Sequence, residues 1–190
     1  MGFLSVSGRD LQGRQVVVII GKLLPAGATS RDRLRKYAIQ KLHPVVSAGS
    51  YSILFVNTNA TFQANSPGVL WLRSTFEALP SMYRAQLGAV YCLHPTLGLR
   101  LVLAAVAPWM SQGLWQKLVY VSRVEFLLEH VAAGQVALPD FVLEHDQELE
   151  GRPLMDYGVE ADGDQAAMFR SATEGVPELR EPLGVYHGAG

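Results

Sequence analysis

The chain has 190 residues, of which 49% are hydrophobic and 17% are charged, and its formal net charge at pH 7 is −1. This composition predicts one globular domain with a substantial core and excludes a wholly disordered chain. The near-neutral charge argues against a nucleic-acid partner, because general nucleic-acid binders need a positive field to attract phosphates. A single cysteine, Cys92, excludes an intrachain disulfide framework and is typical of a reducing compartment.

Targeting signals bear on the cellular location of the protein, and the charge pattern bears on the extent of the folded domain along the chain. The N-terminus lacks the basic segment and apolar core of a signal peptide, and the apolar run Leu101–Met110 is too short to span a bilayer. We therefore expect a cytoplasmic protein, with peripheral membrane contact left open.

Residues 151–190 hold three Lys or Arg, seven Asp or Glu and seven glycines without apolar periodicity. This pattern predicts a folded domain over 10–150 and an acidic, disordered tail over 151–190.

The first half of the chain predicts two buried strands separated by a helix. A continuous apolar run at Val16–Ile20 indicates a strand that is buried on both faces, as in a parallel sheet covered by helices, and Tyr51–Val56 is predicted as the second strand. Ser30 can cap the intervening helix, and Pro44 predicts that it ends near His43. Apolar residues at helical spacing form one stripe on this helix, which we expect to pack against the core: Leu34, Tyr37, Ala38 and Leu42.

The remaining surface of that helix is basic. Arg31, Arg33, Arg35 and Lys36 share it. One interpretation is an ordinary solvated face. The other is a basic patch that meets anionic lipid headgroups or an acidic protein.

The second half begins with a helix after Pro67, in which Trp71 either packs into the core or flanks a groove. Further along, Arg123–Val131 predicts a short helix, and Leu138–Val142 the start of a last turn or helix. The alternation of strands and helices predicts an α/β fold with right-handed crossovers.

The most unusual stretch is Leu87–Val121. It predicts a strand over Leu87–Leu93, a sharp turn, a helix over Gly98–Met110 and a strand over Leu118–Val121. From residue 101 to 110 this helix has no charged side chain. Such a helix is buried on every side, lines an apolar cavity with one face, or meets a membrane. Its aromatic end, with Trp109 and Trp115, fits either core packing or a cavity mouth.

The sequence gives only weak support for a catalytic site or a metal site. Cys92 and His94 stand at the end of a predicted strand, where α/β enzymes place catalytic groups. However, Pro95 ends that strand, so a buried cysteine beside a structural histidine is the simpler interpretation. The five histidines lack metal-ligand spacing, and no phosphate-binding loop is present, so we predict no cofactor and no enzyme activity.

These residues resemble a known family. The stretch Leu87–Val121, followed by Leu127–Val131 and Leu138-Pro139, is similar to the core of the CRAL-TRIO lipid-binding domain. The similarity is closest to its BCH branch, which occurs in certain Rho GTPase-activating proteins and in macro-domain-containing ganglioside-induced differentiation-associated proteins. It covers roughly residues 10–150, and the branch pattern is represented by Gly13–Val18, Leu24-Pro25, Tyr51–Ile53 and Tyr91–Thr96.

The resemblance implies a mixed, mostly parallel sheet that forms the floor of a lipid cavity, with the apolar helix at its border. In phosphoinositide-transferring relatives a lysine, a threonine and an acidic residue meet the headgroup. The corresponding positions here are Lys117, Leu114 and Ala85. Since Leu114 and Ala85 offer no polar side chain to a desolvated headgroup, a less polar ligand is expected.

Two functional hypotheses follow. The first is a non-catalytic module that holds an apolar or lipid ligand in signalling or trafficking. The second is a scaffold of the BCH type for small Rho-type GTPases or their regulators, with self-association as a further mode. The predicted turn motif is His94, Pro95 and Thr96, and the predicted ligand-binding residues are Leu99, Leu103, Val106, Trp109, Leu114 and Lys117.

Overall fold

The computed structural model of the chain describes residues 2–61, 65, 69–107 and 112–151. Within these residues, five strands form one sheet in the order β1-β2-β3-β4-β5. The last four strands run parallel to one another, and the first is antiparallel to its neighbour. The strands are β1 (Leu4–Arg9), β2 (Gln15–Ile20), β3 (Tyr51–Val56), β4 (Leu87–Leu93) and β5 (Leu118–Val121).

Helices connect the parallel strands, as the α/β prediction requires. The predicted α/β class and its mixed, mostly parallel sheet are confirmed, as are the four strands predicted from apolar runs. A short 3₁₀ turn spans Gly21–Leu23. The described α-helices are α1 (Arg31–Ala48), α2 (Val69–Ala78), α3 (Ser81–Gln86), α4 (Leu97–Val106), α5 (Gln112–Trp115), α6 (Val124–Leu127) and α7 (Asp140–Glu150).

Strand β1 extends the sheet to the N-terminal side of residue 10 and was not predicted. Its sequence alternates Leu4 and Val6 with serines, which is the pattern of an edge strand with one covered face. The turn to β2 uses Gly13, whose φ of 77° lies in the left-handed region that glycine adopts without strain.

Helix α1 begins as predicted but does not end at His43. The Ser30 hydroxyl accepts a hydrogen bond from the N–H of Arg33, and the helix continues through Pro44 to Ala48. A proline inside a helix removes one backbone hydrogen bond. Here Val45 and Val46, which follow it, are buried in the core, so their burial offsets that loss. The helix ends before Gly49, which has a φ of 145°.

Two predicted helices differ in extent from the observed ones. The segment Arg123–Val131 contains only the single turn α6, and the apolar helix begins at Leu97 with Val106 as its last described α-helical residue. The segment predicted to start at residue 138 does become a helix, α7, with Pro139 at its N-cap. Helix α3 was not predicted. The predicted tail lies almost wholly outside the described residues and stays a prediction.

The two faces of the sheet are covered to different degrees. One face packs against α6, α7 and the loop between them, and we call it the closed face. Its strand residues are all at most 8% exposed: Val16, Val18, Ile20, Leu54, Val56, Ala89, Tyr91, Leu93 and Val121. The other face, the open face, packs against α1 and α3 at the N-terminal ends of the strands. This unequal cover positions the candidate site.

Candidate ligand-binding site

The open face presents two rows of apolar side chains across the parallel strands. Strand register aligns Ile19, Phe55, Cys92 and Tyr120 in one row, and Val17, Ile53, Val90 and Leu118 in the next. Apart from Val17 and Cys92, these side chains are only half-buried or, for Tyr120, 36% exposed. Central strands of a parallel sheet are normally covered on both faces. The open face is therefore an apolar floor that is covered less completely than the closed face.

Helix α4 lies on the same side of the sheet as this floor. The guanidinium carbon of its Arg100 is 5.3 Å from the centroid of the Tyr120 ring. Helix α4 also contacts α2. The helix is not buried on every side, because Leu97 and Leu101 are 36% and 41% exposed. Of the three interpretations of an all-apolar helix, burial on every side is therefore wrong for the described part of α4.

The turn between β4 and α4 determines where the helix starts. His94 has a φ of 52°, an uncommon value for a non-glycine residue, and Pro95 follows it in a buried position. Thr96 then caps α4, because its hydroxyl accepts a hydrogen bond from the N–H of Leu99 at 3.3 Å. The predicted turn motif thus reverses the chain and starts the apolar helix.

The His94 ring joins this turn to α7 across the closed side of the molecule. Its Nε2 lies 2.9 Å from Oδ1 of Asp146, and its Nδ1 lies 2.7 Å from the hydroxyl of Thr58. Because a carboxylate only accepts, Nε2–H donates to Asp146, and the neutral ring accepts from Thr58 at Nδ1. Burial lowers the pKa of His94 despite the opposing effect of Asp146, which favours this neutral form.

Asp146 collects several donors at one carboxylate. Arg123 donates to it from Nε at 3.1 Å and from Nη2 at 3.2 Å, and the N–H of Val124 donates at 2.8 Å. Burial tends to raise the pKa of Asp146, but the hydrogen bonds from Arg123, Val124 and His94 outweigh it and hold the pKa below its usual value. The carboxylate therefore stays charged and fastens α7 to the turn.

Cys92 and His94 do not form a nucleophile pair. The Cys92 side chain is in an open-face row, whereas the His94 ring bonds to Thr58 and Asp146. Burial raises the pKa of the Cys92 thiol to about 12, so very little thiolate exists at neutral pH. The His94 ring instead binds the side chains of Thr58 and Asp146, which fits a structural histidine. Thr58 and His94 are buried, and the side chain of Asp146 is 14% exposed.

The predicted ligand-binding residues are only partly brought together. Leu99 and Leu103 are half-buried on α4, and Leu114 is half-buried against the apolar cluster of the open face. The backbone O of Lys117 accepts from Val90 N–H, which extends the β4–β5 ladder. Lys117 itself lies in the turn that precedes β5 and is half-buried. The side chain of Val106 and all of Trp109 lie outside the described residues.

The predicted basic patch is present on α1 as an exposed surface. Arg31, Arg33 and Lys36 are exposed, and Arg35 is half-buried with its Nη2 3.1 Å from Oδ1 of Asp32. Its role stays a prediction. Among the tryptophans, Trp71 packs against the open-face cluster, which supports the core interpretation, and Trp115 is 36% exposed.

Arg100 was not among the predicted site residues, although the sequence contains a signal for it. It is the only charged residue between Arg84 and Lys117. An isolated charge in a long apolar stretch is expensive to bury and is therefore a candidate for function. In the part of the chain that the structure describes, no three metal-ligating side chains converge and no helix is long and apolar enough to cross a bilayer.

Comparison with known proteins adds independent information. The family described as the divergent CRAL/TRIO domain matches residues 13–148. The chain is 28% identical over 162 residues to the Rho GTPase-activating protein gacY of Dictyostelium discoideum, covering 82% of the chain and 22% of the relative. It is 31% identical over 151 residues to the GDAP2 homolog of Drosophila melanogaster, covering 80% and 28%.

Human Rho GTPase-activating protein 1 is 28% identical over 148 residues, which cover 77% of the chain and 33% of the relative. The chain thus spans a third or less of the length of these curated relatives. Among solved structures, the crystal structure of Sfh5 superposes with a TM-score of 0.57 at 10% identity, covering 87% of the chain and 64% of Sfh5. At this identity the likeness concerns the fold alone.

Proposed function

Because this chain belongs to the divergent CRAL/TRIO domain family, we propose that it is a non-catalytic module that binds an apolar or lipid ligand between the open face and α4. One observation carries the proposal. The open face keeps Ile53, Phe55 and Val90 half-buried in the middle of the sheet, while the closed face buries its apolar residues almost completely.

The physical argument concerns the cost of exposed apolar area. Each Å² of apolar surface left in water costs about 25 cal/mol, and soluble proteins rarely leave a contiguous apolar patch uncovered unless it binds something. A ligand chain lying on the open face would remove that area from water. Ligand sites in proteins are commonly concave and apolar with few polar groups, which fits a floor of apolar rows beneath α4.

The experiment is lipid extraction and native mass spectrometry of the purified chain, followed by titration with a fluorescent fatty-acyl probe. We expect a co-purifying or exchangeable lipid. Ile53→Trp adds a bulky ring to the floor and should weaken probe binding about tenfold or more, because it fills the space that the ligand chain needs. Leu11→Trp, at a position 60% exposed in the β1–β2 turn, is the matched control and should bind as the original chain does.

Two results would contradict this function. One is the absence of any co-purifying or exchangeable lipid. The other is equal probe affinity in the Ile53→Trp variant and the original chain, with both folded by circular dichroism.

We propose as a second candidate function a docking scaffold for small Rho-type GTPases or their regulators. It is favoured by the exposed basic residues Arg31, Arg33 and Lys36 on α1, together with relatives that are named Rho GTPase-activating proteins. Basic surface patches attract acidic partners through electrostatic forces that salt screens.

The corresponding test is a pull-down with purified Rho-type GTPases at low and high salt. We expect retention at low salt, loss at high salt, and loss at low salt for the double variant Arg31→Glu and Arg33→Glu. Arg84→Glu, an exposed charge reversal on α3, is the control that should still bind. No retention at low salt, or retention that the double variant leaves intact, would remove the support for this candidate.

A further inference from the structure

The open face carries an isolated cation whose pairing is incomplete. Arg100 stands in the first turn of α4, and its guanidinium lies over Tyr120, an apolar-row residue of β5. The Nε atom of Arg100 is buried and makes no hydrogen bond within the described part of the chain. The side chain as a whole is half-buried, so the guanidinium is neither fully solvated nor fully paired.

A guanidinium in this position needs an anion. Arginine carries five N–H donors and no acceptor, and it stays protonated in proteins. A buried donor without a partner costs free energy, and a charged donor costs more. The Tyr120 ring offers its π face at 5.3 Å, which partly compensates the charge but accepts no strong hydrogen bond.

The described carboxylates near the sheet are engaged elsewhere. Asp146 bonds to His94 and Arg123 at α7, and Asp10 bonds to Arg14 and lies beside Tyr91 of the closed face. The strand residues that form the two open-face rows include no acidic side chain. An anion for Arg100 within the described residues is therefore lacking, and an external one fits the position.

We propose that Arg100 binds the head of a monoanionic amphiphile whose apolar chain lies along Ile53, Phe55 and Val90. This inference rests on the ligand-binding function proposed above and names its ligand class. One guanidinium can hold a carboxylate or a phosphate through two parallel hydrogen bonds. The open-face rows themselves contain no second cation, so a single negative charge is the best match.

The test compares ligands that differ only in the head. The purified full chain is titrated with oleate and with oleyl alcohol, and we expect oleate to bind about tenfold to a hundredfold more tightly. Arg100→Met should remove this preference and leave the affinity for oleyl alcohol unchanged. Arg100→Lys should restore part of it, and Arg84→Met, which removes an exposed arginine on α3, should retain all of it.

Further arms identify the source of the anion. Oleoyl lysophosphatidate tests a phosphate head on the same chain. Acetate and inorganic phosphate test an anionic head without an apolar chain. If either of them displaces bound oleate at a concentration comparable to that of oleate, the proposal that the ligand is an amphiphile is refuted. Thermal unfolding checks that each variant is folded.

The outcomes separate the two proposals. Equal affinity of the original chain for oleate and oleyl alcohol would overturn the role of Arg100 while supporting the apolar site. An oleate preference that persists in both Arg100 variants would also overturn it. If none of the amphiphiles binds, the proposed ligand-binding function itself fails.

Discussion

Replacing Asp146 by Asn is expected to lower the free energy of unfolding by about 3 kcal/mol. The carboxylate is the shared acceptor for His94, Arg123 and the N–H of Val124. The side chains of Asp146 and Arg123 are only 14% and 10% exposed, so the loss of the negative charge removes a largely buried ion pair. Truncating one partner of a buried pair costs more than the pair itself contributes, because the remaining charge stays desolvated.

Urea denaturation followed by circular dichroism measures this loss. The control is Glu148→Gln on the same helix, whose side chain is 68% exposed beside His145. Exposed ion pairs contribute little, so the control should change stability by about 0.5 kcal/mol or less. A loss for Asp146→Asn no larger than that of the control would show that α7 does not depend on this carboxylate.

The same network has a consequence for the candidate site. His94 belongs to the turn that precedes α4, and Thr96 of that turn caps the helix. By holding the His94 ring, Asp146 fixes the turn from which the apolar helix starts. The stability of the closed side and the position of the helix beside the open face are thus coupled through one short segment.

The second large effect is expected for Asp10→Asn, again a loss of about 3 kcal/mol in the free energy of unfolding. The Asp10 side chain is fully buried and lies 2.7 Å from Nε of Arg14. The backbone N–H groups of Gln12 and Arg14 donate to its Oδ1, which closes the β1–β2 turn. Burial tends to raise the pKa of Asp10, but its hydrogen bonds with Arg14 prevail and hold the pKa below the usual value.

Asp32→Asn is the matched control for this prediction. Asp32 also pairs with an arginine, Arg35, at 3.1 Å, but its side chain is 78% exposed. Solvent screens that pair, so the control should lose about 0.5 kcal/mol or less. Thermal and urea unfolding of both variants give the comparison, and similar small losses in the two would refute a structural role for the buried pair.

The sequence carried enough information to predict the parallel strands and the turn motif of His94, Pro95 and Thr96. The run Val16–Ile20 is continuous and β-branched, and Tyr51–Val56 is rich in apolar β-branched and aromatic residues, which is typical of buried strands. The bounds of β4 and β5 were predicted residue for residue. The edge strand β1 was missed because half of its residues are polar or glycine, which makes its apolar pattern weak.

Other features depended on contacts between distant residues. Helix α1 continues past Pro44 because Val45 and Val46 meet a core built from other elements, and a local helix-stop rule cannot account for that burial. Likewise, His94 meets Asp146 across 52 positions of sequence, so its role as part of a buried network had no local signal. The charge of Arg100 was visible in the sequence, but its position over Tyr120 was not.

The sequence by itself therefore determined the α/β class, most strands, the Ser30 cap of α1 and the existence of the apolar helix, because these follow from periodicity and turn chemistry within a few residues. Tertiary structure alone decided which face of the sheet stays partly uncovered. An apolar run indicates that a strand is shielded from water, but it does not indicate whether a helix or a ligand covers that strand. For Ile53, Phe55 and Val90 the helices of the described chain leave that cover incomplete.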